Sequence, residues 1–259
     1  MEFLNILQSE LQSGFIYIPN RGNAGDVVIQ QSTIKFFEKN NLNFELGKNT
    51  TTYVGENLVY GGGGNLIGKY QPAKKFIKLN AEKNHIMILP HTIKNSEKSL
   101  NMLNKDSIVF CRERISHEYV SKFIEKCYLH KDMAFHLDLE SYKKESKYEV
   151  GNIFRMDVES SNNVKKIPSN NVDISSVFNR RNQHTNLEVA QAVFDDFVNY
   201  IADFEIVNTD RLHIAIIAAI LGKNVNLYPN SYYKNKAVYD YTLSLEYPNV
   251  NFIDEVKYR

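Results

Sequence analysis

The 259-residue chain has no tryptophan, two cysteines, and a formal charge of only +1 from thirty-one basic and thirty acidic residues. Cys111 and Cys127 lack a CxxC partner, which excludes a disulfide framework and the common thiolate metal sites and points to a reduced, cytoplasmic protein. No His/Cys/Asp/Glu spacing resembles a zinc site, so no metal is expected. The balanced charge supplies no global field for nucleic acid or an anionic membrane, so any anion must be held locally. No apolar run approaches the roughly 18 residues of a membrane span, and none precedes a cleavage site. A GxSxG elbow, a Ser/His/Asp order and a solenoid repeat are likewise missing. What is present is a 43% hydrophobic sequence with 16 Tyr and 15 Phe, enough to bury a substantial core in one large or two small domains.

The apolar pattern alternates between short runs and helical spacings. Phe3 to Leu11 is amphipathic, Phe15 to Ile18 reads as a buried strand, and a helical spacing from Val27 reaches Asn40. Further strands are expected at Asn57 to Tyr60, Ile86 to Leu89 and Ser107 to Cys111, the last followed by a helix from Glu118 to Cys127. This βα alternation predicts a parallel sheet with helices on both faces. The chain turns polar between Leu137 and Lys147, which places a boundary between domains at residues 1–140 and 141–259. The second domain is expected to carry a strand from Val150 to Val158, a loop-rich stretch near Gly151 and Ser160 to Ser176, and a helix from Asn186 to Ala202. A strand at Glu205 to Val207, a buried helix from Leu212 to Leu221, a strand at Val225 to Tyr228, a long helix from Tyr233 to Leu245 and a strand at Val250 to Ile253 follow.

In open parallel sheets ligands gather at the carboxyl ends of strands, and the unusual motifs fall there. Asn20 to Asp26 (NRGNAGD) puts Asn23 and Gly25 in a turn and Asp26 at a helix start, where it is equally a cap or a direct ligand contact. Gly61, Gly62, Gly63 and Gly64, followed by Asn65, expose bare backbone after a strand, and match neither common phosphate-loop spacing. Arg112 opens RERIS at a strand end, where a bidentate grip on an anion competes with an ordinary ion pair. Asp210-Arg211-Leu212-His213 sets an arginine and a histidine at one helix N-terminus, a place that favours anions. Ser231 and Lys234 follow the next strand, and His91 lies after Pro90; the other histidines have no such placement.

Taken together, NRGNAGD, GGGGN, LPHT, RERIS, RMDVE, DRLHIAIIAAILGK and NSYYKN resemble the polysaccharide pyruvyl transferases in order and spacing, the glycine run and the RLH helix most specifically. The resemblance implies two Rossmann-like domains facing a cleft, similar to the GT-B glycosyltransferases. It implies transfer of pyruvate from phosphoenolpyruvate to a sugar hydroxyl pair, as a cyclic ketal on a surface polysaccharide such as a capsule or its precursor. Phosphoenolpyruvate is then a co-substrate, with no cofactor. The sugar acceptor is free or linked to polyprenyl diphosphate, and the protein is cytoplasmic, with at most peripheral contact at the inner face of the membrane. The family's donor contacts carry over to Arg112, Arg211, Leu212 and His213, with Lys234 and Ser231 nearby. His213 becomes the first candidate for proton transfer, and His91 and Asp26 become candidates for contacting or deprotonating the sugar. Two residues depart from the usual pattern: His91 stands where glutamine is frequent and Glu113 where aspartate is usual. The chain also ends early, so a trimmed second domain is expected. A GT-B enzyme using a nucleotide sugar, and a non-catalytic glycan- or phosphoanion-binding protein, are the alternatives.

Overall fold

A computed structural model describes residues 3–68, 70–157, 159–160 and 167–254. The chain divides into two compact units, Met1–Arg21 with Ile29–His136 and Gly22–Val28 with Leu137–Arg259. The sequence reading put residues 22–28 in the first domain; the structure groups them with the second unit.

The first unit contains strands β1 (Phe15–Ile18), β2 (Phe44–Leu46), β3 (Asn57–Tyr60), β4 (Gly63–Ile67), β5 (His85–Lys94), β6 (Ile108–Cys111) and β7 (Cys127–Leu129). Its helices are α1 (Phe3–Glu10), α2 (Ala24–Lys39, whose first turn counts with the second unit), α3 (Pro72–Asn80), α4 (Glu97–Leu100) and α5 (Arg114–Val120). The strands form a parallel sheet in the order β2-β1-β3-β5-β6-β7. β3 and β4 lie in succession along β5. Alternating side chains supply two cores. Leu58, Tyr60, Ile86, Ile88 and Val109 face α3 and α5, while Val59, Met87, Leu89, Ile108 and Phe110 face α1 and α2. The order reverses between β1 and β3, so the carboxyl ends of these strands flank a topological switch point.

In the second unit, β8 (Tyr148–Asn152), β9 (Phe204–Thr209), β10 (Asn224–Leu227) and β11 (Val250–Phe252) form a parallel sheet in the order β11-β10-β9-β8. The helices are α6 (Ile174–Val177), α7 (Leu187–Ala202), α8 (Leu212–Ile220), α9 (Lys234–Val238) and α10 (Ser244–Glu246). Asn186 caps α7 by accepting from the Glu188 and Val189 amides. Leu212 and Ile214 to Ala219 of α8 are all buried, as its apolar run predicts.

Several expected elements differ. The helix expected over Glu118 to Cys127 is α5, which stops at Val120, and Cys127 opens β7 instead. Three apolar residues are too few for periodicity to mark as a strand. The strand expected from Val150 ends at Asn152 with Gly151 inside it, while Val158 and residues 161–166 of the expected loop lie outside the described residues. The long last helix is broken by a π turn at Tyr239–Leu243. The glycine run is only half a loop, since Gly63, Gly64 and Asn65 begin β4. Among the described residues, no helix is long and apolar enough to cross a membrane.

Candidate functional site

The glycine run owes its composition to packing within the first unit. A Cβ on Gly61 would lie 2.7 Å from the Asn20 amide nitrogen, and one on Gly62 would lie 2.8 Å from the Pro90 carbonyl oxygen. Gly63 has φ +139°, a conformation L side chains rarely adopt. Asn65 donates to Asn20 and to the Tyr60 hydroxyl, joining the ends of β1, β3 and β4. His91 is fully buried, and its Nε2 accepts from the Asn65 and Leu66 amides at 3.2 and 3.3 Å. Burial, aided by the Arg112 charge, lowers its pKa to about 3, so the ring is neutral at ordinary pH.

Arg112 follows β6 and is 1% exposed. Its Nε donates to Thr92 at 2.8 Å and its Nη1 to Asp132 at 2.6 Å. Nη2 has no partner among the described residues. The rest of RERIS serves the helix: Glu113 caps α5 by accepting from the Ser116 amide at 2.9 Å and from the Ser116 hydroxyl.

In the second unit, Asn23 and Asp26 form a reciprocal cap at the start of α2. Asn23 accepts from the Gly25 amide at 2.9 Å, and Asp26 accepts from the Asn23 amide at 3.0 Å. Asp26 therefore stands in the first turn and is not itself the cap residue. A Cβ on Gly25 would come within 3.3 Å of His213 Nδ1, so the bare glycine makes room for that imidazole. His184, given no role by the sequence, meets the Gly22 amide at 3.2 Å.

A cluster of charged residues lies beyond β8 and β9. Arg211 donates through Nη2 to Asp173 at 2.6 Å and Asp157 at 3.1 Å. Arg155 grips Asp157 with two nitrogens, at 2.7 and 3.0 Å, and reaches Glu159 with Nη1 at 2.7 Å. Glu159 also accepts from Lys234 at 2.9 Å, and its carbonyl accepts from the amide of the exposed Ser231 at 3.0 Å. Burial pushes Asp157 up, but the hydrogen bonds and charges of Arg155 with the charge of Arg211 reverse this and hold it well below the usual carboxylate range. Arg211 keeps Nε and Nη1 without partners among the described residues. Leu212 has a buried side chain, so only its backbone, in the first turn of α8, is available to a ligand.

The structure thus brings Arg211, Lys234 and Ser231 into one network in the second unit, while Arg112, His91 and the glycine run belong to the first. Sequence reasoning missed Arg155, Asp157 and Glu159, although RMDVE was recognised as a motif, and it missed Asp173 and Asp132 altogether. The signal for the first three was an arginine followed by carboxylates two and four residues on. Nothing local marks Asp173 or Asp132 as clamps, since their arginine partners are 38 and 20 residues away. Among the described residues, no group of three or more His, Cys, Asp or Glu is placed to hold a metal ion.

Each unit is a parallel α/β unit with a carboxylate-clamped arginine beyond a strand end, a place and a group that suit an anion. The sequence profile of the polysaccharide pyruvyl transferases matches residues 23–232, and the chain belongs to that family. The crystal structure of a functionally uncharacterised protein from Klebsiella pneumoniae subsp. pneumoniae NTUH-K2044 is similar, with a TM-score of 0.86, 39% identity and 97% of both chains covered. No curated protein matches the chain. Membership places the protein among transferases that pass a pyruvyl group to polysaccharide.

Proposed function

We propose that the protein transfers pyruvate from phosphoenolpyruvate to two hydroxyls of one sugar, forming a cyclic ketal on a surface polysaccharide or its polyprenyl-diphosphate-linked precursor, on the cytoplasmic side. The observation that carries this reading is Arg211, held through Nη2 by two carboxylates, with Nε and Nη1 left over. A guanidinium fixed in this way meets an incoming phosphate or carboxylate without reordering its own side chain. Lys234, Ser231 and the Leu212 backbone are assigned to the same donor, and Arg112 offers Nη2 to an anionic group. The parallel order of each sheet supports Rossmann-like units of the GT-B kind.

In the proposed chemistry a proton goes to the methylene carbon of the donor and an acceptor hydroxyl attacks the resulting oxocarbenium-like centre. Phosphate leaves, and the second hydroxyl closes the ketal. His213, in the first turn of α8 beside Gly25, is assigned the proton transfers. Asp26 is assigned to the sugar. His91 is reassigned: with a pKa near 3 and its Nε2 occupied, it orders the glycine segment and does not deprotonate a hydroxyl. The test is release of phosphate from phosphoenolpyruvate by purified protein, with Arg211→Ala as control. Turnover unchanged in that variant would sink the assignment.

A further inference from the structure

Asp210 is fully buried at the end of β9, and its contacts join three motif segments. Its Oδ1 accepts the Arg155 amide at 2.8 Å, tying the RMDVE turn to the RLH loop. Its carbonyl accepts from Asn235 Nδ2 at 2.6 Å, and the same Nδ2 donates to the Tyr228 carbonyl at 2.9 Å, tying in the NSYYKN segment. Its Oδ2 has no partner among the described residues.

We propose that Asp210 is a positioning residue of the second unit's anion site: its carboxylate ties the Arg155 turn to the loop carrying Arg211, its carbonyl ties in the segment carrying Lys234, and its negative charge opposes an anion bound at Arg211. The inference rests on the reading of Arg211 as an anion site. The charged groups that bear on Asp210 are Arg155, from the turn after β8, and Arg211, next in the chain; α9 contributes the neutral Asn235. Burial raises the Asp210 pKa to about 6, with the Arg155 amide and the charges of both arginines limiting the rise. Loss of the Asp210 charge therefore lies close to neutral pH, and a bound anion favours it further. By linkage, anion binding takes up a proton and tightens as pH falls toward about 6, levelling off below it.

Sulfate is the primary probe, because a phosphomonoester itself titrates near pH 6; phosphoenolpyruvate is the second. Calorimetry of each at pH 6.5, in two buffers of different ionisation enthalpy, is expected to show proton uptake by the wild-type protein. Asp210→Asn keeps the shape and the Arg155 contact but removes the charge. It is expected to bind sulfate more tightly at pH 7.5, on the order of fivefold or more, and without proton uptake. A merely structural role predicts weaker or unchanged binding in that variant. Binding that depends on Arg211 but takes up no proton in the wild type, or is not tightened by Asp210→Asn, overturns the proposal alone. Absence of binding by either probe, or binding indifferent to Arg211→Ala, overturns the anion-site reading together with it.

Discussion

Arg211 and Arg112 share one design: a buried carboxylate takes part of each guanidinium, and the proposed function assigns the remainder to a ligand. Arg211→Lys cannot reproduce it, since one ammonium replaces a fork that holds two carboxylates and, in the proposed function, an anion as well. We expect the phosphoenolpyruvate Kd of that variant to rise about 10- to 100-fold, the loss of one or two charge-assisted hydrogen bonds, with the circular dichroism spectrum unchanged. Asp210 gives a second prediction, on stability. Its folded pKa, about 6, lies above its unfolded value, so the folded state binds more protons between about pH 4 and 6, and this group's contribution falls as pH rises through that window. Asp210→Asn removes the penalty. The variant is expected to be more stable than wild type at pH 7.5, by up to about 3 kcal/mol, and to lose that advantage at pH 4, as read by urea unfolding at both pH values. The arginines were legible in the sequence because each follows a strand. Their clamps were not, since Asp132 and Asp173 approach through the fold and carry no local signature.

At the scale of elements, the glycine run and the RERIS turn show how packing can imitate function. Four glycines suggested a substrate or the opposing domain against bare backbone, yet at Gly61 and Gly62 near neighbours are the chain's own Asn20 and Pro90. Gly62→Ala sets a Cβ against a backbone carbonyl and is expected to cost roughly 1–3 kcal/mol by denaturant unfolding. Glu113→Ala uncaps α5 directly after Arg112; about 1 kcal/mol is expected, a fall of roughly 2–4 °C in Tm by calorimetry. β1, β3, β5 and β6 of the first sheet were legible because their residues alternate between two buried faces, and so read as continuous apolar runs; β2 and β4 were not expected. β7 and the break after α9 were not, because a three-residue strand and a π turn leave no periodic trace.

Across the whole molecule, a formal charge of +1 leaves ligand attraction to local clusters, and the cluster around Arg155 and Arg211 is itself nearly neutral when empty. An anionic donor would therefore bind by filling unused N–H groups and not by entering a broad positive field. Its affinity is expected to fall less than about threefold between 50 and 200 mM salt, because buried charges are weakly screened. Titration of phosphoenolpyruvate at both ionic strengths checks this. Acceptor-dependent pyruvyl transfer is read from phosphate release from phosphoenolpyruvate, with and without a panel of galactosides, glucosides and N-acetylmannosamine glycosides. Release is expected to require one class of acceptor and to be lost in Arg211→Ala. No release with any acceptor, together with a melting temperature raised by a nucleotide sugar and not by phosphoenolpyruvate, would contradict pyruvyl transfer.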